Sequence, residues 1–153
     1  MICYRISRDE FIKDLSGKGA KLYGGRWNRI GIASLYTGSY RSLALLEMSV
    51  HLQSKEAFAL PYSFACIEIE DKEIFTVPDK MLPQKWNHSL SYEQNFSLTD
   101  YLFTQKNVLA FSVPSVIIHE EKNIIINPLH PAFSKVKLIK TEKIRLDERL
   151  IAK

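Results

Sequence analysis

An α+β fold of mostly antiparallel β-sheets around one central helix is predicted for a single domain over residues 1–153, on three features of the chain. "FACIEIED" at 64–71 alternates strictly, with Ala65, Ile67 and Ile69 on one face and Phe64, Cys66, Glu68 and Glu70 on the other, the mark of a half-buried strand. "YRSLALLEMSVHLQ" at 40–53 carries helical periodicity instead. "SVIIHEEKNIIINP" sets two apolar runs on either side of the polar turn "HEEKN", which predicts a hairpin.

The remaining elements follow in chain order. "MICYRI" opens the chain as a strand, and "SGKGAKLYGGRWN" at 16–28 reads as a glycine-rich loop. "ASLYTG" is a second short strand, after which Ser39 is expected to cap the helix that runs to Gln53. Between Asp71 and Tyr101 two prolines and weak periodicity predict a loop with short helices around "QKW" and "LTDYLF". "VLAFSV" precedes the hairpin, and "KVKLIKTEKIRLDERL" begins with the alternation of an edge strand. There is no repeat, low-complexity tract or linker.

Composition narrows the class of protein. At 153 residues, 46% hydrophobic and 25% charged, the chain is long enough for one ordinary globular core. No apolar run approaches the roughly 20 residues that span a bilayer, and the N-terminus lacks a signal peptide's order of charge and apolarity. A cytoplasmic protein without membrane contact is expected. Cys3 and Cys66 stand alone and suit small core positions. A net charge of +4 favours anionic partners without choosing among them. His51, His88, His119 and His130 lack ligand spacing, so no metal is expected. "GKGAKLYGG" fits neither a phosphate loop nor a dinucleotide fingerprint.

Glu47 is the residue that patterning does not explain. At 100° per residue it shares a helix face with Leu43, Ala44, Val50 and His51, away from the polar stripe of Ser42, Ser49 and Gln53, so it points inward or into a cleft. A carboxylate withdrawn from water needs donors or a cation. Either Arg26 or Arg5 forms a structural ion pair with it, or it is a catalytic carboxylate held in a pocket. Arg26 follows two glycines that let backbone approach a ligand, and its guanidinium can fork onto phosphate or carboxylate. Trp27 and Tyr36 offer stacking faces or simple core packing. Ser115 follows Pro114 without the G-x-S-x-G elbow of a nucleophile, so it suits a turn or the orientation of another side chain.

"YR" at 4–5, "GGRWN" at 24–28, "LYTGSYRSLALLE" at 35–47, "VPS" at 113–115, "NPLHP" at 127–131 and "LDERL" at 146–150 occur in one order along nearly the whole chain. In these pieces it resembles the RES-domain toxins of bacterial toxin–antitoxin pairs, named for an Arg, a Glu and a Ser. The resemblance implies an ADP-ribosyltransferase-like fold and NAD as substrate, either hydrolysed, phosphorolysed or used to transfer ADP-ribose to a protein. It also implies an Xre-type helix-turn-helix antitoxin that blocks the site, with no direct DNA binding by this chain. Carried onto matching positions, it makes Glu47, Arg26 and Arg5 catalytic, and Tyr36, Ser115 and Asn127 substrate-binding. Many members have a Gly and a Trp near the stretch "SLTDYLF", which here has neither.

The implied chemistry agrees with an inward carboxylate. Breaking the nicotinamide–ribose bond builds oxocarbenium-like charge on the sugar, which a fixed carboxylate stabilises more in the transition state than in the ground state. Nicotinamide leaves a cationic linkage and needs no general acid. Two other readings stay open. Interleaved Arg, Trp and Tyr in "YGGRWNRI" suit a ribonuclease or RNA-binding toxin, although an inward carboxylate repels a phosphate backbone. A non-catalytic interaction module would use Glu47 only as an arginine's partner.

Overall fold

The computed structural model describes residues 1–52, 54–88 and 92–150. Seven strands form one sheet: β1 Ile2–Arg8, β2 Leu35–Gly38, β3 Tyr62–Glu68, β4 Ile74–Thr76, β5 Ala110–Pro114, β6 Lys122–Ile126 and β7 Lys137–Ile144. Their order is β4-β5-β6-β2-β1-β3-β7. Every neighbouring pair is antiparallel except β4 with β5. The helices are α1 Lys18–Tyr23, α2 Arg41–Ser49, α3 Lys55–Phe58 and α4 Glu93–Asp100, the last continuing as a π-helical turn over Tyr101–Gln105.

Side chains alternate across the sheet and build a core on each face. Cys3, Leu35, Ala65, Ile67, Ile124 and Ile126 pack on one face. Ile125, Phe111, Val113 and Trp27 pack on the other, covered by Leu98, Leu102 and Phe103 from α4 and its π turn. Helix α2 lies on this second face, close against Gly38, where an added Cβ would stand 3.2 Å from the Ala44 nitrogen.

Several local expectations are corrected. The stretch 16–28 contains α1: Gly17 (φ 68°) starts it and Gly24 (φ 73°) ends it, so these glycines bound a helix that glycine content had hidden. Ser39 does not cap α2. Tyr40 holds that position with no side-chain cap, while Ser39 Oγ accepts from the Lys122 N–H and ties β2 to β6. The helix ends at Ser49, short of the expected Gln53, which lies outside the described residues.

Strand β3 is buried on both faces up to Glu68 rather than half-buried. Its second face is covered by Arg41, whose guanidinium lies over the Tyr4 and Phe64 rings and reaches Cys66 Sγ. Within 71–101, "QKW" forms turns instead of a helix, "LTDYLF" is helical as expected, and the short strand β4 was not foreseen; residues 89–91 lie outside the described ones. The hairpin expected between the two apolar runs of "SVIIHEEKNIIINP" is shifted: "SVII" is not strand, and β6 pairs instead with β5 at 110–114. Ser115 Oγ accepts from the N–H groups of Ile117 and Ile118 and curls the chain away at the strand's end. The tail forms the edge strand β7 against β3, with exposed Lys137, Lys140 and Lys143 discouraging further pairing.

Candidate active site

The face that carries α2 gathers the polar groups. Continuing the β5–β6 ladder past Pro114↔Lys122 brings Ser115 opposite Glu121, and the Ser115 N–H donates to the Glu121 carbonyl at 2.9 Å. Asn123 sits opposite Gly38, the glycine that lets α2 approach. Glu47, one turn beyond Leu43, therefore arrives over Asn123 and Ser115. Its Oε1 accepts from Ser115 Oγ at 2.8 Å and from Asn123 Nδ2 at 2.6 Å. Its Oε2 has no hydrogen-bond partner among the described residues and is not enclosed. One oxygen is clamped and the other is available.

A second group is built on β2. Burial pushes the Tyr36 phenol well above its ordinary pKa. Its Oη accepts from the Trp27 N–H at 3.0 Å and donates to Asn28 Oδ1 at 2.7 Å. Asn28 Nδ2 in turn donates to the carbonyls of Ala20 and Ile32, so Tyr36 and Asn28 together fix the loop that presents Arg26. Gly25 permits this closeness, since a Cβ there would lie 2.7 Å from the Tyr36 hydroxyl. Arg26 Nη1 donates to the carbonyls of Trp86 (3.3 Å) and His88 (3.2 Å), and its guanidinium lies over the Tyr92 ring. Its Nε and Nη2 have no partner among the described residues, which leaves a two-pronged edge for an anion.

The family model described as the RES domain matches residues 2–147. The chain belongs to the RES domain family. This RES domain is 33% identical to "Toxin Res" of Photorhabdus laumondii, over 99% of the chain and 97% of that relative. It is 38% identical to the "Prs ADP-ribosylating toxin" of a Sphingobium species, over 92% of the chain and 88% of that relative. Its fold is similar to the crystal structure of the M. tuberculosis MbcT-MbcA toxin-antitoxin complex, with a TM-score of 0.73, 16% identity, and coverage of 94% of this chain and 83% of that one. The α+β class and the family read from "GGRWN" and "ALLE" are borne out.

The expected site residues of the RES domain separate on inspection. Glu47 and Ser115 touch, and Arg26 and Tyr36 share a second group on the same sheet face. Arg5 is not with them. Its register opposite Ala65 puts it on the other face, where Nη1 donates to the carbonyls of Phe11 and Asp14 and burial lowers its pKa. The ion pair of Glu47 with Arg5 or Arg26 does not form among the described residues; the carboxylate is held by neutral donors instead. Asn127 stands four residues beyond Asn123 at the far end of β6, about 13 Å along the strand. There its Oδ1 accepts from the Leu129 N–H and closes a turn.

Asn123 was missed, although a legible signal existed. It is the polar member of the 123–125 face in an otherwise apolar run, and a half-buried amide on that face calls for a hydrogen-bond partner. Trp86 and Tyr92 gave no such signal, because only the fold brings them to Arg26. Among the described residues no group of three His, Cys, Asp or Glu side chains is placed to hold a metal ion, and no helix is long and apolar enough to cross a membrane.

Proposed function

We propose that this RES-family toxin cleaves the nicotinamide–ribose bond of NAD. The observation that carries the reading is the divided state of Glu47, with Oε1 held by Ser115 and Asn123 and Oε2 free. A carboxylate fixed this way can place negative charge beside a sugar without reorganising as the ring becomes cationic. As the C1′–N bond breaks, its electron pair leaves with nicotinamide, and the acceptor oxygen bonds to C1′ from the opposite side and releases a proton. Ser115 acts here as a positioning residue, since its hydroxyl proton is committed to Glu47 while its oxygen accepts two backbone N–H groups. Arg26 offers its free edge to the diphosphate, and Tyr36 fixes the loop that carries it.

Water or phosphate as acceptor would deplete NAD, and a protein acceptor would make the enzyme an ADP-ribosyltransferase. The second outcome has one observation in its favour, the 38% identity to a relative named as an ADP-ribosylating toxin. The likeness to a toxin-antitoxin complex supports an antitoxin partner, for which the Xre type is the expected class. Incubating the purified protein with NAD, with and without phosphate and with cell extract, separates the acceptors. ADP-ribose, its phosphorylated form and a modified protein are the three distinguishable products. NAD that stays intact in every condition, with total RNA degraded instead, would overturn the reading in favour of a ribonuclease.

A further inference from the structure

Arg26 and Glu47 do not touch, but Trp86 accepts from Arg26 through its carbonyl and meets with its ring the loop that follows Ser115. Trp86 is half-buried and stacks on the buried Trp27, with ring centroids 5.8 Å apart and planes inclined by 25°. It also meets the exposed His119 ring edge-on, at 6.0 Å. His119 belongs to the 115–121 connection whose first residue, Ser115, is bonded to Glu47. The backbone of Trp86 is equally constrained: its carbonyl accepts from Arg26 Nη1 and, at 2.9 Å, from Asn95 Nδ2. Asn95 is fully buried in α4, and its Oδ1 has no partner. The indole is thus packed against Trp27 and His119, remains only half-buried, and is carried on a backbone that also anchors Arg26. Hydrophobic packing alone accounts for the Trp27 contact and leaves the open part of the indole without a purpose.

We infer that Trp86 is the ring-recognition surface for the nicotinamide end of the substrate, packing its indole against the positively charged pyridinium. The inference rests on the NAD-cleaving reading above. Indole presents the most favourable aromatic face to a cation, so the same contact selects the oxidised dinucleotide over its uncharged reduced form. Asn95 is then a positioning residue that acts through the Trp86 backbone.

The test compares Trp86→Leu and Trp86→Phe with the unmodified protein in steady-state NAD consumption, with reduced dinucleotide as competitor. Trp86→Leu is expected to raise KM for NAD roughly five- to thirtyfold while kcat changes less than about threefold. Trp86→Phe should recover part of that loss, and the preference for NAD over the reduced form should shrink in both. Trp86→Phe keeps a ring against Trp27 and carries the comparison if the leucine variant is too unstable to assay. A KM and a selectivity unchanged in Trp86→Phe and in any folded Trp86→Leu would overturn the inference and leave Trp86 a packing residue. Failure of the unmodified protein to consume NAD would instead overturn the functional reading itself.

Discussion

Ser115 Oγ donates to Glu47 Oε1 at 2.8 Å while accepting from the backbone N–H groups of Ile117 and Ile118. One hydroxyl thereby aims the carboxylate and shapes the connection that follows β5. Ser115→Ala removes both functions, leaving two N–H groups without an acceptor and Glu47 held by Asn123 alone. A stability loss of about 1–3 kcal/mol is expected from denaturant unfolding. NAD turnover should fall about ten- to a hundredfold through misplacement of the carboxylate. Turnover equal to the unmodified protein would show that the serine does not position Glu47.

The two conspicuous arginines should behave differently when removed. Arg5→Ala loses charge-assisted hydrogen bonds to the carbonyls of Phe11 and Asp14, so its defect is in stability, about 1–3 kcal/mol. Its kcat, once folded, should stay within about threefold of normal, because Arg5 lies on the opposite sheet face from Glu47. Arg26→Ala instead should raise KM for NAD about ten- to a hundredfold with a smaller effect on melting temperature. Steady-state kinetics and thermal unfolding on the same preparations decide between these outcomes.

Two glycines of one short segment give opposite expectations. Gly17 adopts φ +68°, and a Cβ there would lie 2.7 Å from the Ser34 backbone nitrogen, so Gly17→Ala should destabilise the protein by more than about 1 kcal/mol. Gly19 lies inside α1 with nothing within 4 Å of where an added Cβ would sit, and Gly19→Ala should stabilise by about 0.5–1 kcal/mol. Chemical denaturation midpoints of the pair measure the contrast directly.

Alkaline solution should weaken the fold through Cys3. Burial pushes its thiol up from 9.0 to about 11, so the folded state keeps a proton that the unfolded chain gives up. Its contribution is complete below about pH 9 and is lost as pH rises towards about 11. Tyr36 adds a loss of the same sign, beginning above its ordinary value of 10.0. Unfolding free energy measured between pH 8 and about 11 should therefore decline, and Cys3→Ala should flatten the early part of that decline.

What the sequence made legible follows from the range of the interactions involved. Alternation in β3 and the apolar run of β6 are local and are read correctly as strands, and the helical periodicity around Glu47 is read correctly as a helix, whereas the expected first hairpin arm "SVII" is displaced by β5 just before it. Glycine content misled at 16–28, where Gly17 and Gly24 use positive φ to begin and end a helix rather than to avoid one. Burial of both faces of β3 depends on Arg41, a neighbour brought in by the tertiary fold, and local periodicity does not report it. The same limit applies at the site. An inward Glu47 was legible from its helix face, yet its partners Ser115 and Asn123 lie 68 and 76 residues away, and arginine seemed the natural choice by charge alone. Arg5 was displaced from the site by register: one position along β1 would have turned it to the opposite face.

The central claim is that Glu47 stabilises a sugar as it becomes cationic, and nicotinamide release from NAD by Glu47→Gln measures it most directly. The glutamine oxygen can still accept from Ser115 and Asn123, so the folded structure should persist with stability changed by about 1 kcal/mol or less. Nicotinamide release should nevertheless fall by about 10²–10³-fold, as expected when one preorganised electrostatic group is lost. A folded Glu47→Gln protein that releases nicotinamide at the unmodified rate would contradict the account.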